Sequence, residues 1–545
     1  MSERVCSIGV DFGTESGRAL VIDARTGEQL AVSVVPYASA VIDTVLPETG
    51  ERLPPDWALQ DPDDWVAVLG SAIPEAIATA GVDPASVVGI GVDVTSCTVL
   101  PVTGEGVPLC RDEHWRGRRH AWPKLWKHHS AQPVADRLNE VALERGEDFI
   151  ARYGGKISSE WYFPKLIELW LEDREVYDAA ARFIEATDWI AWQLTGRECR
   201  QSCTASYKAL WSPTEGLPPT AYFEAAYPGF DKPDAKLGTT FAALGTRAGT
   251  LVAEWARRLG LGEDVAVAVG NVDSFVSVPG AGVHSPGTFV TVIGTSICDM
   301  VLGANEVLLP GITGVAQDGI LPGLYGYEAG QVAVGDMLAW FVRTLGRGPD
   351  AFAQLEREAA AFAPGETGLV ALDWFNGNRS ILADADLTGA ILGLTLQSTP
   401  AHIYRAMLES IAFGNRRIVE NFIEHGIALN EIVACGGIAE RSPLTMQLIA
   451  DISDLPVRVP DSTEVPARGA AMFGAVAAGV FDGIDAAVAA TRPADARTYT
   501  PDGASLETYD RVYEIYRSLY QILGTSQVAL LHGLKAIATE MRRVT

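Results

Sequence analysis

The feature that most constrains the fold is a strand–turn–strand unit that occurs twice in the chain. Residues 7–22 form an apolar strand, a glycine-threonine turn and a second apolar strand, and residues 287–302 repeat this design. The first turn is Gly13-Thr14-Glu15-Ser16, and the second, Gly294-Thr295-Ser296, is one residue shorter. Two similar units roughly 280 residues apart indicate two related domains that face each other.

We therefore expect one domain over 1–283 and a second over 284–545. Within the first, apolar residues at helical spacing predict a helix over 61–80, and Pro74 should kink it or divide it in two. A buried strand is predicted at 87–94. A few antiparallel strands followed by alternating helices and strands are typical of an α/β layer fold.

Further elements follow from the same periodicities. Helices are predicted over 135–145, 165–181, 189–194, 400–425, 442–452, 467–479 and 509–523, a strand over 431–434, and a loop over 213–237.

The charge balance excludes one class of partner. The chain has 69 acidic and 42 basic residues, a net charge of −27, and such a surface repels a nucleic-acid backbone. Any phosphate must therefore be held by local backbone amides, a metal ion or a few placed cations.

The cysteines and the hydropathy pattern bear on location. Seven scattered cysteines without a C-x-x-C pair indicate reduced thiols, not a disulfide framework or a zinc site. No run of about 20 apolar residues predicts a membrane span, and the strand that begins near Val5 leaves no room for a signal peptide. We expect a cytoplasmic protein with no membrane partner.

The glycine turns are candidate phosphate sites. Tight turns expose backbone N–H groups that bind phosphate oxygens, and Asp11, at the end of the first strand, suits Mg²⁺ held through carboxylate and water. The same reasoning applies to residues 294–296. The alternative for each is an ordinary hairpin, with Asp11 as a capping residue.

Two more positions have chemistry of this kind. Gly436-Gly437 follows a predicted strand, and because glycine has no side chain, a flat ligand could lie against the backbone there. The alternative is a plain strand–helix turn. Asp273 closes a strand at a glycine-rich turn, where a carboxylate can accept a proton from a hydroxyl group; the alternative is a cap for the helix that follows.

These motifs, in this order, resemble the FGGY carbohydrate kinase family. The resemblance spans nearly the whole chain and implies an α/β fold of two ribonuclease-H-like (actin-like ATPase) domains with ATP bound in the cleft between them. Further segments resemble the branch of that family that phosphorylates L-ribulose. They are residues 125–133, 155–161, 205–208, 270–273 and 509–513.

The resemblance implies a role for each candidate residue. Asp273 matches the catalytic base, and Asp11 matches a carboxylate associated with Mg²⁺. The sugar would be bound by Ser96, Trp126, Lys208, Asp273 and Glu328. ATP would be bound by Gly13, Thr14 and Ser16 in the first turn, by Gly294, Thr295 and Ser296 in the second, and by Gly436 and Gly437 on the adenosine side.

Each sugar residue also has a simpler interpretation. Lys208 is one of only eight lysines in the chain, which favours a functional role, but it could equally be a surface residue. Glu328 lies between glycines and could belong to a solvated turn, Trp126 could be a core residue, and Ser96 could cap a turn. His128 and His129 could suggest metal binding, but adjacent histidines on a helix would point apart, so no metal site is inferred from them.

The function that the resemblance implies is ATP-dependent phosphorylation of L-ribulose to L-ribulose 5-phosphate, a step of L-arabinose catabolism. The alternatives are a kinase for D-ribulose, D-xylulose, ribitol or glycerol, an actin- or chaperone-like ATPase switch, and a catalytically silent sugar sensor. ATP and Mg²⁺ are the expected cofactors, and a homodimer is the expected assembly.

Overall fold

The structure is a computed structural model that describes residues 4–544, with backbone alone at 495, 496, 539 and 542–544. Met1, Ser2 and Glu3, the start of the region examined for a signal peptide, lie outside the described residues. No helix within residues 4–544 combines the length and the apolar character needed to cross a bilayer.

The first half of the chain contains nine strands and nine α-helices within the described residues. The strands are β1 (Cys6–Phe12), β2 (Ser16–Asp23), β3 (Gln29–Pro36), β4 (Val87–Val94), β5 (Val99–Val102), β6 (Arg182–Glu185), β7 (Arg247–Thr250), β8 (Ala266–Ala268) and β9 (Asn271–Val272). The helices are α1 (Pro62–Ala80), α2 (Gln132–Arg145), α3 (Tyr162–Glu172), α4 (Arg174–Ala179), α5 (Ala186–Thr195), α6 (Ser202–Lys208), α7 (Thr220–Ala226), α8 (Ala253–Leu259) and α9 (Asp273–Gly280).

The second half has the same mixed character. Its strands are β10 (Thr288–Ile293), β11 (Ile297–Gly303), β12 (Gly314–Gln317), β13 (Tyr325–Gln331), β14 (Val370–Leu372), β15 (Ala390–Leu392), β16 (Glu431–Cys435), β17 (Val457–Pro460) and β18 (Asp495–Tyr499). Its helices are α10 (Gly335–Thr344), α11 (Ala351–Ala360), α12 (Pro400–Glu424), α13 (Gly437–Arg441), α14 (Pro443–Ser453), α15 (Val465–Ala477), α16 (Ile484–Thr491), α17 (Gly503–Gln521) and α18 (Ala529–Val544).

Each half has a main mixed sheet built on the same plan. In the first sheet the order is β3-β2-β1-β4-β8-β7, with β9 paired to β4; β1 and β2 are antiparallel, and β1 and β4 are parallel. In the second sheet the order is β12-β13-β11-β10-β16-β17-β18, with β10 antiparallel to β11 and parallel to β16. The two repeated sequence units are thus the hairpins β1–β2 and β10–β11, as the sequence predicts.

Helices α9 and α15 lie between the two sheets. A Cβ atom at Gly9 would lie 1.7 Å from the Ala467 carbonyl oxygen, and one at Gly91 would lie 1.8 Å from that of Ala470, so α15 packs directly on the first sheet. Helix α9 contacts α15 as closely, because a Cβ atom at Gly469 would lie 1.9 Å from the Val276 carbonyl oxygen. Although α15 comes from the second half of the chain, it covers the sheet of the first half. The boundary at 283/284 stays a prediction.

The structure corrects three sequence-based expectations. Pro74 does not divide the first helix, because residues on both sides of it, such as Leu69 and Ile77, are buried against the sheet. The helix predicted over 165–181 is interrupted at Asp173, which caps α4 by accepting a hydrogen bond from the Val176 N–H. The predicted loop over 213–237 contains α7, whose Tyr222 and Phe223 are buried.

Candidate active site

The first glycine turn connects β1 to β2, and hydrogen bonds from three directions hold its backbone in place. The Gly13 N–H donates to the Ser16 carbonyl (3.0 Å), which closes the turn. The Tyr37 hydroxyl donates to the Gly13 carbonyl (3.0 Å), and the Gln60 amide donates to the Thr14 carbonyl (2.8 Å). With its carbonyl groups held in this way, the turn has a fixed shape before any ligand arrives.

Trp126 lies against this turn. Its indole Nε1–H donates to the Thr14 hydroxyl (3.1 Å), so the aromatic residue implicated in sugar binding is anchored to the first candidate phosphate turn.

The second glycine turn has a matching arrangement. The Gly294 N–H donates to the Ser296 carbonyl (2.9 Å). The chain that leads into α10 then folds over the turn, and the Val334 N–H donates to the Thr295 carbonyl (2.9 Å). The turn therefore sits at the start of a helix, next to backbone amides.

The Gly436-Gly437 turn lies beside the second glycine turn. Strands β10 and β16 are parallel neighbours, so their carboxyl ends meet at one edge of the sheet. Gly436 has φ 93°, and a Cβ atom there would lie 2.7 Å from the Ile293 carbonyl oxygen, so only glycine fits.

Ion pairs also connect β2, the strand after the first turn, to the second half of the chain. The Arg18 guanidinium lies 3.5 Å from Asp11 and 3.2 Å from Glu464, which precedes α15. Burial raises the pKa of Glu440 in α13, and the nearby charge of Glu464 raises it further. Arg18 and Glu464 therefore bridge the two halves of the chain at one side of the cleft between them, beside Asp11.

Asp273 lies in this cleft as the first residue of α9. The Ser274 N–H donates to its Oδ1 (2.6 Å). Burial raises the pKa of Asp273 to about 7, with further contributions from the negative charges of Asp11 and Glu328, while Lys208 opposes the shift. The pKa of Cys298, two residues after the second turn, is raised by burial and also by Asp273. The charge of Asp273 thus interacts with Asp11, which precedes the first turn, and with Cys298, which follows the second.

Lys208 and Glu328 form a buried ion pair that joins the two halves of the chain. The Lys208 Nζ lies 2.5 Å from the Glu328 Oε2, and both side chains are less than one-tenth exposed. Lys208 ends α6 and Glu328 lies in β13, so the pair spans the cleft. A second pair, Glu160 with Arg379 (3.5 Å), crosses between the same halves. Burial alone would raise the pKa of Glu160, but Arg379, His129 and Lys208 together lower it.

Ser96 lies in the turn between β4 and β5. Its hydroxyl group is buried and has no hydrogen-bond partner among the described residues. The next residue, Cys97, has φ 56°, and its carbonyl accepts a hydrogen bond from the Lys165 ammonium group (2.7 Å). The Ser96 hydroxyl is therefore free to bind a ligand in a turn that is itself fixed.

Asp11 and Asp93 stand side by side at the carboxyl ends of β1 and β4. The two residues are partners in the parallel register. Burial raises the pKa of Asp11, and the charge of Arg18 and a hydrogen bond with Asp93 partly offset that rise. Burial, Asp11 and Asp273 together raise the pKa of Asp93 well above its usual range.

The described residues contain no cluster of three or more His, Cys, Asp or Glu side chains arranged to hold a metal ion by themselves. That finding is compatible with Mg²⁺, which usually keeps several waters and takes one or two carboxylates together with substrate phosphates. Asp11 and Asp93 are the carboxylates of the cleft that could contribute.

Most of the predicted site residues thus fall into three groups, and Ser96 lies apart from them in the turn between β4 and β5. The first turn groups with Asp11 and Trp126, the second turn groups with Gly436 and Gly437, and Lys208 groups with Glu328. The pKa of Asp273 responds to Asp11 of the first group and to Lys208 and Glu328 of the third. Such an arrangement can hold a polyphosphate between glycine turns and present a carboxylate to a hydroxyl group beside a buried ion pair.

Sequence reasoning missed several residues of the cleft. Asp93 could have been found, because Ile90-Gly91-Val92-Asp93 repeats the tetrapeptide Ile8-Gly9-Val10-Asp11. Glu160 lies in the segment 155–161, which resembles the family branch that phosphorylates L-ribulose, but no local pattern there distinguishes it. Arg379 stands in an irregular segment between β14 and β15, where no periodicity marks it.

Comparisons with known proteins identify the family of both halves of the chain. Residues 6–280 match the N-terminal domain of the FGGY family of carbohydrate kinases, and residues 289–478 match the C-terminal domain of that family. A ribulokinase from Anoxybacillus flavithermus is 46% identical over 543 residues, which cover 97% of this chain and 96% of that protein. A ribulokinase from Mycolicibacterium smegmatis is 42% identical over 548 residues, with 98% and 97% covered.

Solved structures agree on the fold. The chain superimposes on xylulose kinase from Rhodospirillum rubrum with a TM-score of 0.78 at 26% identity, covering 97% of this chain and 100% of the other. It superimposes on Plasmodium falciparum glycerol kinase with ADP with a TM-score of 0.77 at 16% identity, covering 95% and 98%. The predicted α/β fold of two actin-like ATPase domains is confirmed. The family models span most of the chain and the relatives cover nearly all of it, so the protein belongs to the FGGY family of carbohydrate kinases.

Proposed function

We propose that this carbohydrate kinase transfers the γ-phosphoryl group of ATP to the 5-hydroxyl of L-ribulose. The observation that best supports the proposal is the place of Asp273 at the start of α9, where Asp11 and the Lys208–Glu328 pair all act on its pKa. The choice of sugar is supported by relatives named ribulokinase at 42–46% identity over nearly their full length.

In this proposal Asp273 is the catalytic base. Its carboxylate accepts the proton of the 5-hydroxyl as that oxygen attacks the γ-phosphorus in line. A pKa of about 7 leaves a substantial fraction of the carboxylate charged at neutral pH and makes it a stronger proton acceptor than an ordinary aspartate. The Ser274 N–H, which donates to Oδ1, fixes the direction of the carboxylate.

The sugar is positioned by groups on both sides of the cleft. Beyond the bond that joins them, Lys208 has two N–H donors and Glu328 its other carboxylate oxygen to offer to the sugar hydroxyls. The Ser96 hydroxyl, which has no partner among the described residues, adds a further contact, and Trp126 places an aromatic face beside the first turn.

The nucleotide is held by the glycine turns. Gly13, Thr14 and Ser16 on one side and Gly294, Thr295 and Ser296 on the other bind the phosphates through backbone amides and hydroxyl groups. Gly436 and Gly437 accommodate the adenosine. Asp11 holds Mg²⁺, and its buried carboxylate suits this hard cation. The ion would neutralise charge on the transferring phosphoryl group.

Location, assembly and pathway follow from the same proposal. A kinase that phosphorylates L-ribulose would act in L-arabinose catabolism in the cytoplasm, and its partners would be the sugar and ATP. We also expect a homodimer and no nucleic-acid role. These points extend the resemblance to named relatives and the acidic charge balance.

The experiment is a coupled assay of ADP formation with L-ribulose, D-ribulose, D-xylulose, ribitol and glycerol at equal concentration. We expect the highest kcat/KM with L-ribulose. A clear preference for D-xylulose or glycerol would assign the chain to another branch of the family. ADP release that is independent of any added sugar would instead favour the ATPase-switch alternative.

A further inference from the structure

Asp93 occupies the same position on β4 that Asp11 occupies on β1. The identical tetrapeptides 8–11 and 90–93 lie in register on adjacent parallel strands, so the two aspartates are Cα partners. Gly9 and Gly91, two residues earlier, both face α15. Because side chains alternate along a strand, Asp11 and Asp93 lie on this same face, at the carboxyl edge of the sheet.

Asp93 is also the less satisfied of the two. It is fully buried, and its carboxylate oxygens have no hydrogen-bond donor among the described residues; the side chain within hydrogen-bonding reach is the Asp11 carboxylate, which can serve as a partner only if one of the two acids holds a proton. Asp11 has Arg18 at 3.5 Å, but that guanidinium is shared with Glu464. An unpartnered buried carboxylate is costly, and buried polar groups without partners are unusual enough to require an explanation.

A divalent cation would supply what this pair lacks. Mg²⁺ takes oxygen ligands, commonly one or two carboxylates together with phosphates and waters. Two in-register carboxylates next to the first glycine turn provide such a pair, directly beside the turn proposed to hold phosphate. A neutral Asp93 that donates its proton to Asp11 is the competing explanation.

We propose that Asp93 is a second carboxylate ligand, beside Asp11, for the divalent cation that accompanies the nucleotide phosphates. The identity of that cation's phosphate partner rests on the proposed function, whereas the pairing of the two carboxylates does not. Asp93 is then part of the metal site and not a support for the fold.

The test is a titration of the full chain with Mn²⁺, with free Mn²⁺ followed by electron paramagnetic resonance, without nucleotide and again with ADP. The variants are Asp93→Asn, Asp11→Asn and Asp299→Asn. Asp299 is a matched control, because it is fully buried, its carboxylate oxygens lack partners among the described residues, and it lies on the face of β11 that packs away from α9 and α15.

We expect Asp93→Asn and Asp11→Asn each to weaken Mn²⁺ binding about tenfold or more, and Asp299→Asn to leave it unchanged. Thermal unfolding of each variant checks that the fold is retained. If Asp93→Asn binds Mn²⁺ as tightly as the unmodified chain or more tightly, the inference is overturned, because asparagine mimics the neutral acid of the competing explanation.

The outcome is separable from that of the sugar assay. A chain that forms ADP with L-ribulose while Asp93→Asn keeps full Mn²⁺ affinity overturns this inference and leaves the proposed function intact. A chain that is inactive on every sugar but loses Mn²⁺ on Asp93→Asn overturns the proposed function and supports the inference.

Discussion

Replacing Asp273 with asparagine should separate catalysis from stability. Asparagine keeps a side-chain oxygen that can accept the hydrogen bond from the Ser274 N–H, now 2.6 Å from Oδ1, so the start of α9 should be preserved. What is lost is the ability to take up a proton. General-base help is worth about 10²- to 10⁴-fold, so we expect kcat to fall by that factor, equivalent to roughly 3–5 kcal/mol on the barrier.

The same substitution should not destabilise the protein. The folded state raises the pKa of Asp273 from 3.8 to about 7, so between these values the folded chain binds more protons than the unfolded chain. Stability contributed by this group is therefore present at low pH and lost as the pH rises from about 4 to 7. The loss is at most about 4 kcal/mol, and less in practice because the half-buried carboxylate is partly screened. The asparagine variant lacks this loss and should unfold at an equal or higher temperature at pH 8.

The assay is ADP formation with L-ribulose over pH 5.5–8.5, together with thermal unfolding of the free protein at pH 5 and pH 8. Activity of the unmodified chain should rise about tenfold from pH 6 to pH 8 as a group of pKa about 7 loses its proton. Asp299→Asn is the control: burial raises the pKa of Asp299 to about 7 as well, so it should show the same stability effect with full turnover. Near-normal kcat in Asp273→Asn would refute the assignment of Asp273 as the base, and a large drop in its unfolding temperature would refute the stability argument drawn from its raised pKa.

Two further predictions concern the cleft and the first sheet. Lys208→Met should lower the free energy of unfolding, measured with urea, by about 3–5 kcal/mol, because it leaves the buried Glu328 carboxylate unpaired. The double variant Lys208→Met, Glu328→Met should lose less than the sum of the two single changes. Simple additivity would show that the pair is not coupled. Gly91→Ala should destabilise the protein by about 3 kcal/mol or more because its Cβ would lie 1.8 Å from a carbonyl oxygen of α15, while Gly104→Ala, with open space around it, should change stability by less than about 0.5 kcal/mol. Equal unfolding midpoints for these two alanine variants would contradict the close packing of α15.

The glycine turns and their flanking strands were predictable because their signals are local. An apolar strand that runs into Gly-Thr specifies a tight turn whatever surrounds it, and both hairpins form where the pattern places them. Pro74 shows the limit of such signals: its local tendency to break a helix is outweighed by apolar residues that pack on both sides of it. The roles of the individual site residues stay predictions.

The contacts across the cleft were not predictable from local pattern. The Lys208–Glu328 and Glu160–Arg379 pairs join residues more than a hundred positions apart, and nothing in the spacing of either segment identifies its partner. Asp93 was open to detection through its repeated tetrapeptide, but an aspartate at the end of a buried strand has many ordinary explanations, and its lack of partners is visible only in three dimensions.

The packing of α15 on the first sheet sets an order for events on the ribosome. The sheet surface on which this helix packs, at Gly9 and Gly91, leaves the exit tunnel early. Residues 465–477, which form the helix, follow only after most of the chain has been translated. At about 5–20 residues per second, the interval between the end of the first half and the arrival of that helix is roughly 10–40 s. During that time the nascent first half has an uncovered apolar face, so chaperone protection matters most in this window.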